Sequence, residues 1–153
     1  MKSILISNLA LKKMEQLTAK YPKLENGGFI YGRMNPQWLQ IWDVSDAGEN
    51  AKRSYSGIEF EKKHLTKYTE EKVNNEQFVV GTWHSHPKGA SLMPSSIDYI
   101  TMKNITKYYD YNYYPIFIIT KIQNDKLLFS IYRINEENGI SEIKEYELFE
   151  SED

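Results

Sequence analysis

The chain has 153 residues, enough for one domain with a substantial core, and no cysteine, which excludes a disulfide framework, a thiolate nucleophile and a Cys-type zinc site. With 41% hydrophobic residues, 26% charged residues and a formal net charge of -2, it lacks the basic balance on which nucleic-acid binding rests, so no nucleic-acid partner is expected. The N-terminal apolar run Ile4-Leu5-Ile6 is too short for a signal-peptide core and no segment approaches about 18 apolar residues, so no membrane association is expected and the expected location is the cytoplasm.

Residues 3–7 read as a short strand, and Asn8 as the cap of a helix through about Lys20 with Leu11, Met14 and Leu17 at helical spacing. Tyr21-Pro22 ends it. Glu25 follows, just before Gly27-Gly28, where the backbone has conformations closed to other residues and can approach its neighbours closely. An isolated glutamate in such a place reads as a solvated loop residue. Residues 29–33 and 38–44 are predicted as strands joined by Met34-Asn35-Pro36-Gln37, with Trp38 and Trp42 in the core or covering a face. Residues 45–57 are polar and contain glycine, hence a loop, and residues 58 to about 74 are predicted as a helix with Phe60, Leu65, Tyr68 and Val73 roughly on one side.

The apolar run over residues 78–83 reads as a buried strand, followed by His84-Ser85-His86-Pro87. Positions i and i+2 of a strand face the same way, about 6.6 Å apart along it, so both imidazoles can close on one ion. Pro87 has no N–H for the ladder and stops the strand; residues 88–94 form a loop; Ser95 opens a helix whose apolar positions are Ile97, Ile100, Met102 and Ile105. Asp98 falls in the first turn of that helix. There it is either a third metal ligand or the acidic partner of a capping box with Ser95. Two neutral nitrogens and one carboxylate oxygen suit zinc and leave a fourth position for water; His64, on the preceding helix, reads as a surface histidine and not a fourth ligand. Downstream, the segment Tyr108-Tyr109-Asp110-Tyr111-Asn112-Tyr113-Tyr114 is either an interaction surface or packing at a helix-to-strand junction. Residues 115–120 are a continuous apolar run, hence a central strand; Gln123-Asn124-Asp125 turns it into a strand over 126–134; Asn138-Gly139 turns again into a charged strand through Phe149, and residues 150–153 are expected to fray. Strands mixed with three helices, with no repeat or linker, argue for a single α+β domain spanning 1–153 with a mixed, curved β-sheet flanked by helices.

The pattern His84-Ser85-His86-Pro87, seven residues, Ser95-x-x-Asp98, with Glu25-Asn26-Gly27-Gly28 upstream, resembles the JAMM (MPN-plus, JAB-domain) zinc metalloproteases that remove ubiquitin and ubiquitin-like proteins. The segment Ser45-Asp46-Ala47-Gly48-Glu49-Asn50-Ala51-Lys52-Arg53-Ser54 is similar to a loop of short bacterial members, among them deconjugases of antiphage CBASS operons. The resemblance implies a JAB/MPN, cytidine-deaminase-like architecture and a Zn2+ cofactor held by His84, His86 and Asp98. It assigns the general base to Glu25 and an oxyanion-stabilising hydroxyl to Ser95. It also implies cleavage of a peptide or isopeptide bond after the Gly-Gly end of a ubiquitin-like protein, with that protein or its conjugates, and conjugation-enzyme homologues of the same operon, as partners. Two other functions stay open: release of an amino acid from a sulfur-carrier protein by the same chemistry, and a non-catalytic MPN scaffold. Recognition is expected to rest on residues 45–57 and 88–93, where Lys52 and Arg53 are either solvated charges or contacts to the substrate tail.

Overall fold

The computed structural model describes residues 2–151. Eight strands form one mixed sheet in the order β10-β1-β3-β2-β6-β7-β8-β9. The strands are β1 (Ser3–Ser7), β2 (Gly27–Met34), β3 (Trp38–Val44), β6 (Phe78–Ser85), β7 (Ile116–Gln123), β8 (Lys126–Ile134), β9 (Ile140–Ile143) and β10 (Glu147–Phe149). A separate two-stranded hairpin pairs β4 (Lys52–Arg53) with β5 (Ile58–Glu59). Three α-helices complete the α+β fold: α1 (Asn8–Lys20), α2 (Lys62–Asn74) and α3 (Ser96–Thr106). β1 runs parallel to β3 and β10, and β6 parallel to β7; the other neighbours are antiparallel. Only three residues separate β9 from β10, yet these strands form the two edges, so the sheet curls to bring its edges together.

The sheet separates two cores. Ile4, Ile6, Ile30, Ile41, Val80, Trp83, Ile116, Ile118 and Ile131 pack with Ala10 and Met14 of α1. On the other face, Phe117, Ile119, Tyr132 and Ile134 pack with Met102 of α3. The unbroken apolar run of β7 follows from this arrangement: alternate residues serve opposite cores, and both must be apolar. α2 is fastened differently. Asp43 of β3, only 7% exposed, pairs with Lys13 of α1 at 2.8 Å and with Lys72 of α2, and accepts a hydrogen bond from Tyr68 at 3.0 Å.

The expected elements form, with several displaced boundaries. Ser7, not Asn8, caps α1, its Oγ accepting from the N–H of Ala10, while Asn8 Oδ1 accepts from Leu9 and from Ser151 near the other end of the chain. The segment predicted as one helix from residue 58 begins instead as β5, because Ser54 N–H donates to the Gly57 carbonyl and closes a turn that pairs Lys52 with Glu59. Residues 45–57 are accordingly not all loop. Val73, expected on one side of the helix with Leu65, is exposed, while Leu65 is buried. The charged C-terminal segment is two strands on opposite sheet edges, not one. Trp42 covers a face, meeting Phe149 edge-on at 5.3 Å between ring centres. Of the expected frayed tail, residues 152 and 153 lie outside the described residues.

Candidate metal centre

β6 ends on the α3 face of the sheet, carrying His84 in its last turn of pleat and His86 just beyond. The N–H of His86 still donates to Thr120 of β7, so the chain remains extended through both residues. α3 starts nearby, and its first turn is a complete capping box: Ser95 Oγ accepts from the Asp98 N–H at 3.0 Å, and Asp98 Oδ2 accepts from the Ser95 N–H at 2.9 Å. Asp98 is thus the acidic partner of a capping box, and its geometry is also compatible with a metal ligand. The same Oδ2 that closes the box lies 3.2 Å from Nε2 of His84 and 3.2 Å from Nε2 of His86, and those two nitrogens are 3.2 Å apart. The capping box aims the carboxylate.

This triangle fits a metal. Donors bound tetrahedrally to zinc at about 2.0–2.1 Å stand ~3.3 Å from one another. His86 Nδ1 lies 2.6 Å from the Ser91 carbonyl, which can only accept, so Nδ1 carries a ring proton; Nε2 then donates to Asp98 when the ring is charged and offers its lone pair to a metal when the ring is neutral. The side chains of His84, His86 and Asp98 are 15%, 9% and 13% exposed, shielded but reachable. For Asp98, burial opposes ionisation, yet hydrogen bonding to both histidines overrides it and holds the carboxyl far below the usual range. For His86, burial likewise opposes the charged form, while Asp98 and the Ser91 carbonyl outweigh it and raise the pKa.

Glu25, 6% exposed, faces the same cleft and is no solvated loop residue. Burial chiefly raises its pKa, and the Asp98 charge adds to this against the opposing histidines. Its placement comes from backbone pairing: Gly27 sits opposite His84 and Gly28 opposite Trp83. A Cβ on Gly27 would lie 2.4 Å from the Trp83 carbonyl oxygen, and one on Gly28 2.2 Å from that of Ser45, so close approach, not unusual dihedrals, demands glycine at both positions. Ser95 is exposed; its Oγ accepts the helix cap, which leaves its hydroxyl hydrogen free to donate. His64 pairs with Asp46 and takes no part in the triangle.

Three supporting residues carry no role in the sequence reading. Buried Asn26 receives Arg53 Nε on its Oδ1 at 3.1 Å, donates its N–H to Ser85 Oγ at 2.9 Å and its Nδ2 to the Leu17 carbonyl, so it ties the hairpin, β6 and α1 together. Ser85, between the histidines, and Asn26, between Glu25 and Gly27, stand inside the quoted motifs, which is the signal available for them. Ser91 acts through its carbonyl, for which side-chain identity gives no sign. Arg53 is not a freely solvated charge: it stacks at 4.2 Å on Tyr21 and donates to Asn26 and Gly48.

A curved mixed sheet bearing a two-histidine, one-carboxylate corner where a central strand meets a helix start defines a JAB-type domain. The profile of the prokaryotic homologs of the JAB domain matches residues 7–134, and the chain belongs to that family. The solution structure of protein DSY2949 from Desulfitobacterium hafniense is similar in fold, with a TM-score of 0.73 and 18% identity over 97% of this chain and 94% of the other. No curated protein matches the sequence significantly. Among the described residues, no helix is long and apolar enough to cross a membrane.

Proposed function

We propose that the protein is a zinc-dependent peptidase or isopeptidase cleaving after the Gly-Gly tail of a ubiquitin-like protein. The observation that carries this reading is the buried Glu25 carboxylate in one cleft with the His84, His86 and Asp98 triangle. A groove of about 460 Å³ reaches Glu25, His84 and Asp98, walled by Gly57, Ile58 and Phe60 on one side and Ile97, Thr101 and Met102 on the other. Its walls suit an extended tail without side chains, and the exposed Met93, Ile97 and Ile100 beside it suit the apolar surface of a folded partner.

An ion held by His84, His86 and Asp98 would polarise the scissile carbonyl and acidify a water. Glu25 takes the proton of the attacking water on its carboxylate and returns it to the leaving amine as the C–N bond breaks; its raised pKa suits both halves of that task. Ser95 donates its free hydroxyl hydrogen to the developing oxyanion. The cytoplasmic setting, beside conjugation-enzyme homologues in an antiphage system, belongs to the same proposal.

The test is hydrolysis of fusions ending in a ubiquitin-like Gly-Gly tail by the purified protein with zinc, with chelator, and as Glu25→Gln. Cleavage that disappears in both controls supports the reading. Full activity in Glu25→Gln removes Glu25 from the mechanism, and a chain that binds no zinc refutes the enzyme.

A further inference from the structure

The start of β1, the end of β8 and the tyrosine segment enclose a cavity of about 580 Å³ on the α1 face of the sheet. It is remote from the metal corner: Ile116, in its wall, stands four residues of β7 from Thr120 beside His86, about 13 Å of strand. Ile4, Ile116 and Ile143 give it an apolar floor. Lys2 and Arg133 also line it, each two residues from a member of that core, Ile4 and Ile131, and so on the same face.

Both cations are held in position by the tyrosine segment. The Arg133 guanidinium lies 5.2 Å and 5.6 Å from the ring centres of Tyr111 and Tyr114 and donates Nη2 to the Tyr111 carbonyl at 3.2 Å. Lys2 Nζ donates to the Asn112 carbonyl at 2.7 Å. Among the described residues, neither cation has a carboxylate within 4.0 Å, and Arg133 Nε is buried without a partner. Burial first, and the neighbouring Arg133 charge second, lower the Lys2 pKa to about 8. Two like charges fixed together over an apolar floor are unfavourable alone and favourable with an anion between them. At the exposed rim stand Glu142 and Glu145, which outnumber the one rim cation, Lys144, while Glu136 engages the Tyr111 hydroxyl. These acids disfavour a second negative charge on any occupant.

We propose that this cavity binds a small organic monocarboxylate, its head between Lys2 and Arg133 and its apolar body on Ile4, Ile116 and Ile143. The volume is that of a small-molecule site. The proposal is independent of the hydrolytic reading.

Calorimetric titration of the whole chain with octanoate, octanol, octylammonium and octyl phosphate tests it. Octanoate is expected to bind at least tenfold more tightly than octanol or octylammonium, and Lys2→Met and Arg133→Gln to weaken it at least tenfold. In the unsubstituted protein octanoate should also raise the Lys2 pKa, read by NMR at its side chain, a readout that needs no variant to fold. Octanol binding as tightly as octanoate, no octanoate binding, or an unmoved Lys2 pKa would overturn the site. Tighter binding of octyl phosphate would overturn the monocarboxylate assignment.

Discussion

Replacing Asp98 by alanine removes two interactions that share one oxygen, and a second variant separates them. Asp98→Ala deletes the bond from the Ser95 N–H and the only carboxylate of the triangle; Ser95→Ala deletes the cap to the Asp98 N–H but leaves that carboxylate. Loss of a helix cap costs about 1 kcal/mol. In a chain of this size that is a fall of about 2–4 °C in Tm, expected for both variants. Zinc should respond to only one of them. Loss of an outer hydrogen-bonding partner costs a metal site about 10–100-fold in affinity, and loss of a direct ligand should exceed that range. The assay is zinc stoichiometry and competition with a chromophoric chelator, alongside thermal melts of both proteins. Asp98→Ala retaining one tightly bound zinc per chain, or Ser95→Ala losing zinc equally, would show that Asp98 is a helix cap and nothing more.

Ser95→Ala should also lower turnover on a Gly-Gly fusion by about a hundredfold, the usual effect of removing one oxyanion donor; unchanged turnover removes the hydroxyl from the mechanism. In chelated protein, the raised Glu25 pKa means that the folded state holds the proton to higher pH than the unfolded chain, so stability falls as pH rises above 4.5 through the folded value. Urea denaturation of Glu25→Gln across that window should lack this loss. Asp43 has the opposite sign. Burial opposes its ionisation, but Lys13 and Lys72 depress its pKa, so its contribution is full above 3.8 and disappears as pH falls through the lower folded value. Asp43→Asn should cost about 2–3 kcal/mol at pH 7 and progressively less in acid, measured by the same denaturation; a cost independent of pH would refute the ionic account. Gly28→Ala forces a Cβ against Ser45 and should destabilise by about 1–3 kcal/mol, a result that a wild-type melt would contradict.

The convergence of His84, His86 and Asp98 is legible because its parts are close in sequence: a strand end, a short loop and a helix cap, each with its own local signal. Glu25 was legible only through family resemblance, since its burial depends on β2 pairing with β6, which no local pattern encodes. The start of α2 is not legible because Phe60 extends the apolar side of Leu65 and Tyr68 upstream of the true helix; the turn from Ser54 to Gly57 captures Ile58 for a hairpin first. The C-terminal strands show the same limit. Propensity marks residues 140–149 as extended, but which edge each strand joins depends on the curl of the whole sheet.

Asn26 bonds to Arg53 of the hairpin and to Ser85 between the histidines, and the Glu25 N–H donates to Ser54 within the same hairpin. The groove wall and the buried carboxylate are therefore one mechanical unit. If the protein is the hydrolase proposed above, a tail bulky enough to push the hairpin outward would shift the carboxylate with it, so that a poor substrate would be held but not cut. Discrimination would then appear in kcat more than in KM, with a wrong tail acting as an inhibitor and not merely as a weak binder.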